Sequence, residues 1–253
     1  MLFSLTDKTC LVTGASSGLG AHFARVLSDS GARVVLAARR LERLESLAEE
    51  IRANGRDALP VVMDVTDPAS VDATYEAAEA EFGPIHVLVN NSGVSREGFF
   101  TDMSEADWRF VMDANLDGVW RVAKRAANGM KAAETGGSII NISSITALRT
   151  SQMIAAYAAS KAAVDHLTRV MALEGARFGI RVNAIAPGYF KTDINSEFLD
   201  SEPGEKMRKR IPMRRFGAYE NLSGPLLLLA SEAGAYMTGE TIVVDGGHTK
   251  MGL

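Results

Sequence analysis

Tyr157 and Lys161 stand four residues apart in the stretch AAYAASKAAV. Residues i and i+4 of a helix share a face, so this spacing predicts two side chains pointing the same way. Both groups are weak acids with unperturbed pKa values of about 10. An ammonium held beside a phenol favours the phenolate and lowers the tyrosine pKa. That draws the phenol toward neutral pH, where general acid-base catalysis is efficient. The plainer reading is helix packing plus a solvated charge, and the pair alone does not decide between the two. Upstream, an apolar run ends in Ser143 and Ser144. Adjacent strand residues face opposite ways, so one of these hydroxyls at most can meet the tyrosine.

A second chemical feature lies near the N-terminus. TGASSGLG places Gly14, Gly18 and Gly20 between an apolar run and a helical pattern. Such glycines allow a tight turn and let backbone N–H groups at the helix start approach a phosphate. The spacing is G-x-x-x-G-x-G, not the G-x-G-x-x-G of the general dinucleotide fingerprint. A plain strand-to-helix loop is the rival reading. The next apolar run ends in VVLAARRLERLE, with Ala38 where an acid that binds a ribose 2′-hydroxyl would stand, followed by Arg39 and Arg40. A guanidinium binds a 2′-phosphate in a fork, whereas an acid would repel it. Arginines at a helix start oppose its dipole, so a local anion makes better sense of them. The cofactor expected is NADP(H), with NAD(H) as the lesser alternative.

These groups need elements to position them. Seven short apolar runs read as strands: 9–14, 33–38, 58–64, 85–91, 137–143, 180–186 and 240–246. Helical patterns fall between them, such as 41–53, with apolar residues every three to four positions, and 70–82. Strand-helix alternation implies parallel pairing with right-handed crossovers, hence a sheet covered by helices on both faces. Near-continuous apolar strands agree with burial on both sides. The 253 residues suit one domain over 1–253, its rhythm broken only at 188–217. Polar, charged and aromatic residues there suggest a substrate lid. A net charge of -4, from 27 basic and 31 acidic residues, gives no footprint for nucleic acid. The basic run 206–215 reads better as the outer face of a lid helix. A single cysteine, Cys10, excludes an internal disulfide and fits a reducing compartment. Four scattered histidines suggest no metal site. With no leader and no apolar stretch of spanning length, the expectation is a soluble cytoplasmic protein.

TGASSGLG, NNSG (Asn90 to Gly93), DANLDGVW, NISS, Tyr157-x-x-x-Lys161, PGYFKT (Pro187 to Thr192) and GETIVVDGG occur in that order. From Lys8 to the C-terminus the sequence thereby resembles the short-chain dehydrogenase/reductase family. The resemblance implies an α/β fold of Rossmann type, doubly wound on a seven-stranded parallel sheet. It implies a catalytic set of Asn115, Ser144, Tyr157 and Lys161, and the family spacing selects Ser144 over Ser143. Tyr157 would exchange a proton with the substrate oxygen, which Ser144 would hold by hydrogen bond as charge develops. Lys161 would also bind the nicotinamide ribose, and Asn115 would hold a water linking Lys161 to solvent. Cofactor contacts are implied for Ser16, Ser17 and Leu19 with the turn glycines, and for Arg39 at the 2′-phosphate. Asp64 and Val65 would lie near the adenine, although Asp64 could simply cap the following turn. Asn91 and Gly93 would line the dinucleotide, with Pro187, Gly188, Phe190 and Thr192 around the nicotinamide and pyrophosphate. Three positions depart from the family pattern: Ser92 replaces alanine, Phe190 replaces Ile or Val, and Ser17 replaces a basic residue found in many NADPH-using relatives. The last leaves Arg39 to hold the 2′-phosphate with Ser16.

For the substrate, Ser95, Thr146, Met153 and Tyr189 are candidates, along with Val94, Phe99, Phe100, Phe190 and Phe198. This largely apolar set suggests a ketone or secondary alcohol with a hydrophobic body. Arg149 or Lys191 could recognise an anion. The leading expectation is an NADP(H)-dependent carbonyl reductase or alcohol dehydrogenase. A 3-oxoacyl-thioester reductase and a non-catalytic NADP(H)-binding regulator are the alternatives. The C-terminal TIVVDGGHTKMGL resembles the family's tetramer-forming end, so a homotetramer is expected.

Overall fold

The computed structural model describes residues 2–192 and 195–251. Seven strands, β1 (Thr9–Thr13), β2 (Arg33–Ala38), β3 (Ala58–Val62), β4 (Val87–Asn90), β5 (Gly137–Ile142), β6 (Ile180–Pro187) and β7 (Thr241–Val244), form one sheet. All pair in parallel, in the order β3-β2-β1-β4-β5-β6-β7. The helices are α1 (Gly18–Asp29), α2 (Leu41–Ala53), α3 (Pro68–Phe82), α4 (Glu105–Met112), α5 (Gly118–Ala132), α6 (Ala155–Gly175), α7 (Ser196–Leu199), α8 (Glu202–Arg210) and α9 (Ser223–Ala230). The α/β, doubly wound architecture expected from the alternation is the one observed.

Strand alternation divides the interior into two layers. In β1, Cys10 and Val12 pack with Phe23, Leu27, Leu44 and Leu226 from α1, α2 and α9. Leu11, between them, joins Tyr75, Val122, Met130 and Ala172 from α3, α5 and α6 on the opposite face. Each large apolar side chain buried this way contributes about 1.5–3 kcal/mol. Burial also pushes the Cys10 thiol up to about 12.

Several boundaries shift for identifiable reasons. The helix expected at 70–82 begins at Pro68, because the Asp67 side chain caps it by accepting from Ala69 N at 2.9 Å and proline is pre-set for the first turn. The strand expected to reach residue 64 ends at Val62, and Asp64 turns the chain by accepting from Thr66 N at 2.9 Å and Thr66 Oγ1 at 2.7 Å. Pro60, which cannot donate to a ladder, is tolerated because β3 is an edge strand. The last strand stops at Val244, where Asp245 accepts from the main chain of Gly247 and Thr249.

The strand order reverses between β1 and β4, and a cavity of about 1010 Å³ opens beyond their carboxyl ends. Open α/β sheets bind ligands at such a switch point.

Candidate active site

At one end of the cavity the glycine turn leads from β1 into α1. Gly14 and Gly18 have φ of +67° and +55°, a region other residues enter at a cost. Gly20 is required for a different reason: a Cβ there would lie 2.2 Å from the Gly14 carbonyl oxygen. Asn91 holds the turn from the side, donating Nδ2 to Thr13 O at 3.0 Å, while Asn91 N and Ser92 N donate to Thr13 Oγ1. The Asn91 side chain therefore braces the two strand ends, and Asn91 also lines the cavity. Ser16, Ser17, Gly18 and Leu19 line the wall.

Arg39 and Arg40 both reach this end of the cavity. The closer engagement is by Arg40, expected from sequence only as a neighbour. Its guanidinium donates to Ser16 Oγ at 2.9 and 3.2 Å and to Ser17 Oγ at 2.9 Å. Its partners here are neutral hydroxyls, so its charge is not matched by a carboxylate at the turn. Arg39 lies near Asp64, whose carboxyl is held below its usual range, chiefly by the hydrogen bond from Thr66 N and also by Arg39 and Arg121. Asp64 thus caps the turn and also lines the cavity beside Val65.

At the other end sits the set expected to be catalytic. Ser144 follows β5 and Tyr157 and Lys161 lie in the first two turns of α6, all in the cavity wall. The Ser144 hydroxyl lies near enough to the Tyr157 phenol to pull its pKa down. Ser144 Oγ also accepts from Thr146 N at 3.1 Å and contacts Thr146 Oγ1 at 3.0 Å. Ser143, the competitor, contacts the Lys161 carbonyl oxygen at 3.3 Å instead. Lys161 Nζ donates to Ile142 O at 2.7 Å and lies 5.7 Å from the Tyr157 ring centre.

The electrostatics correct one expectation. Burial raises the Tyr157 pKa, and the Ser144 hydroxyl opposes that rise; Lys161 is not what sets the balance. The lysine is itself lowered from 10.5 to about 8 by burial. Removal from water thus outweighs the charge-charge attraction that the four-residue spacing suggested.

Asn115 lies in a π-helical turn, Asp113–Asp117, inserted between α4 and α5. Such turns occur mostly at functional sites. Its Oδ1 accepts from Val94 N at 2.8 Å, and its Nδ2 donates to Val94 O at 2.9 Å and Ser160 Oγ at 3.2 Å. Ser160 in turn donates to Tyr157 O at 2.7 Å. The Asn115 side chain therefore ties the loop after β4 to α6 with both amide hydrogens engaged. Gly93 packs here, where a Cβ would come within 3.4 Å of Asn115 Oδ1 and 3.7 Å of Lys161 Nζ.

Pro187, Gly188, Phe190 and Thr192 follow β6 along the wall. Gly188 N donates to Val244 O at 2.9 Å. Thr192 N donates to Asn195 Oδ1 at 2.8 Å, and Asn195 Nδ2 returns to Phe190 O at 2.9 Å. The ring of Phe190 is buried over Gly217, which leaves room for the larger aromatic.

Ser95, Thr146, Met153 and Tyr189 all border the cavity, as do Val94 and Phe198. Phe99 and Phe100 do not; they are exposed, at 55% and 80%, on the loop outside. Arg149 and Lys191 are engaged elsewhere, Arg149 with Thr249 O at 2.7 Å and Lys191 with Asp200 at 2.6 Å. Glu97 and Gln152 were not singled out from the sequence, yet both line the wall. Met153 has φ +66°, an unusual backbone for a non-glycine residue, and its carbonyl accepts from Gly98 N. Strain of this kind clusters at functional sites.

A family profile described as enoyl-(acyl carrier protein) reductase matches residues 14–249. A short-chain type dehydrogenase/reductase from Mycobacterium marinum superposes with a TM-score of 0.94 at 39% identity, over 98% of each chain. The chain belongs to the short-chain dehydrogenase/reductase family. A gluconate 5-dehydrogenase of Gluconobacter oxydans (strain 621H) is 38% identical over 249 residues, covering 98% of this chain and 97% of that one. The structure of a gluconate 5-dehydrogenase from Burkholderia cenocepacia J2315 in complex with NADP and tartrate has a TM-score of 0.95 at 38% identity, over 99% and 98% of the chains. Among the described residues, no helix of this dehydrogenase/reductase is long and apolar enough to cross a membrane.

Proposed function

We propose that this chain is an NADP(H)-dependent oxidoreductase interconverting a secondary alcohol and its ketone, with Tyr157 as general acid and base. The observation that carries the reading is the Ser144–Tyr157 hydroxyl pair in a cavity wall, backed by Lys161, with a glycine turn and a cationic rim at the far end.

The residues fit a phosphorylated dinucleotide. The turn presents Gly14, Gly18 and the start of α1 to the cavity, and Arg40 lies against Ser16 and Ser17. There the Arg40 fork, with Arg39 beside it, would hold a 2′-phosphate that an adjacent acid would repel. Asp64 and Val65 would flank the adenine, and Gly93, Pro187, Gly188, Phe190 and Thr192 would hold the nicotinamide half. The nicotinamide, when bound, supplies or takes up the hydride.

The chain's own residues handle the proton. Ser144 Oγ holds the substrate oxygen and stabilises the negative charge that grows on it during reduction. Tyr157 Oη delivers its proton to that oxygen, and in the oxidative direction removes it. Lys161, fixed on Ile142 O, places a positive charge under the phenol. It stabilises the phenolate left after proton transfer. Asn115, through Val94 and Ser160, keeps the loop and helix in register.

Within this reading the chain is one domain. Segment 188–217 covers the substrate end, since Tyr189, Phe198 and Met207 come from it into the wall. Asp193 and Ile194 of that segment lie outside the described residues. A cytoplasmic homotetramer completes the proposal, from the C-terminal sequence and the single buried cysteine.

The test is a panel of ketones and alcohols followed by NADPH absorbance in both directions, with Tyr157→Phe alongside. The variant should keep cofactor binding and lose turnover by about 10²–10⁴-fold. Near wild-type turnover by Tyr157→Phe would remove Tyr157 from the mechanism.

A further inference from the structure

Beyond Tyr157 the cavity carries one sign of charge. Glu97 lies in the wall there, two residues past Ser95. Its loop is anchored, because Gly98 N donates to Met153 O at 2.8 Å and Gly98 forms a β-bridge with Ile154. Ile154 is the residue that caps α6, the helix carrying Tyr157. Glu97 is therefore tied by backbone to the helix start that presents the catalytic phenol. The neighbouring wall is hydroxyl- and amide-rich: Thr146, Ser151 and Gln152.

The cations around this end are held away. Arg149 donates to Thr249 O and Met251 O, and Lys191 is paired with both oxygens of Asp200. Arg96, next to Glu97, stacks over the Phe110 ring at 4.1 Å and pairs with Asp107 at 3.4 Å. Arg210 acts on Tyr189 and His248 but does not line the cavity. Among the described residues, the lining cations are Arg39 and Arg40 at the far end and Lys161 beneath Tyr157, while Asp113 and Asp64 are lining carboxylates besides Glu97.

We infer that the site selects a neutral polyhydroxy ketone or alcohol, Glu97 accepting hydrogen bonds from substrate hydroxyls and repelling a substrate carboxylate. Specificity then comes from a repulsive element as much as from an attractive one. Glu97 is exposed at the edge of the cavity, so the two carboxylates would repel each other in contact with solvent, by about 1 kcal/mol at close approach. This rests on the oxidoreductase reading above, and it separates the chain from relatives named for gluconate, an acid.

The test uses a matched pair: 5-keto-D-gluconate, and L-sorbose, which has CH2OH in place of the carboxylate on the same carbon skeleton. With NADPH, wild type should favour L-sorbose in kcat/KM by about tenfold or more. In Glu97→Gln that ratio should fall by about fivefold or more. A wild-type preference for the keto-acid, or a ratio unchanged in the variant, overturns the inference. If neither compound is reduced, calorimetric binding of each to the NADPH-loaded protein decides by the same ratios, and failure of L-sorbose to bind counts against it. Failure of the oxidoreductase reading would show separately, as absence of NADPH oxidation over the whole ketone panel.

Discussion

Lys161 Nζ donates to the main-chain carbonyl of Ile142 at 2.7 Å, two residues before Ser144. One hydrogen bond thus joins the end of β5, just before Ser144, to the helix that carries Tyr157. The catalytic geometry is set by this strand-to-helix bond, and the lysine charge is the buried group that makes it.

That burial predicts a pH dependence of stability. Lys161 is lowered to about 8 in the folded chain, whereas an unfolded lysine titrates near 10.4. Between those values the unfolded chain binds more protons, so stability rises with pH there. Below about pH 8 the ammonium is charged in both states and the burial penalty, on the order of 3 kcal/mol, is fully present. Urea unfolding of wild type and Lys161→Met at pH 7 to 10.5 should show wild type gaining on the variant as pH rises. The slope of the difference carries the test, because the variant also leaves the Ile142 carbonyl without its donor. A gap that widens against wild type with rising pH would contradict the assignment.

The Arg40 contacts predict where cofactor choice resides. Loss of a charged hydrogen-bond donor typically weakens binding by about 1.5–3 kcal/mol. Arg40→Ala should therefore raise the KM for NADPH roughly tenfold or more and leave that for NADH within about twofold. Arg39→Ala should act in the same direction. Steady-state kinetics with both cofactors distinguish this from a general loss of binding, which would move both constants together.

Phe190 and Gly217 predict a packing coupling. A Cβ on residue 217 would lie 2.3 Å from Phe190 Cε1 and 2.5 Å from Cζ, and the ring is buried. Gly217→Ala should destabilise by about 1–3 kcal/mol, as overpacked cores do. Phe190→Val made together with Gly217→Ala should recover part of the loss. Thermal or urea unfolding of the four proteins gives the cycle, and strictly additive effects would refute the coupling.

Where local pattern decides structure, the sequence was easy to read. Arg33–Ala38 and Leu41–Ala53 match their expected bounds, because alternating or near-continuous apolar residues and the 3.6-residue period left few alternatives. The Tyr157–Lys161 pair was legible from helix spacing and Ser144 from the family spacing to Tyr157, and all three line the cavity. The π-turn at Asp113–Asp117 was not legible, because DANLDG carries no proline and its one glycine, Gly118, lies after the turn, so the widening is visible only in the backbone. Arg40 was passed over for Arg39, since one residue of rotation on leaving β2 decides which guanidinium meets Ser16 and Ser17. Phe99 and Phe100 were read as pocket residues on hydrophobicity, but the loop turns both to solvent, while Glu97, itself exposed, borders the cavity.

Cys10 sits in the interior strand β1 with no exposed surface, and burial pushes its thiol up to about 12. Thiolate is the reactive form, so maleimides and iodoacetamides at neutral pH will find almost none of it in the folded chain. A cysteine introduced at an exposed position of segment 188–217 would then be the one labelling site, without first removing the native one. Fluorescent or spin reporters that test whether that segment moves over the cavity can be placed on an otherwise unaltered protein.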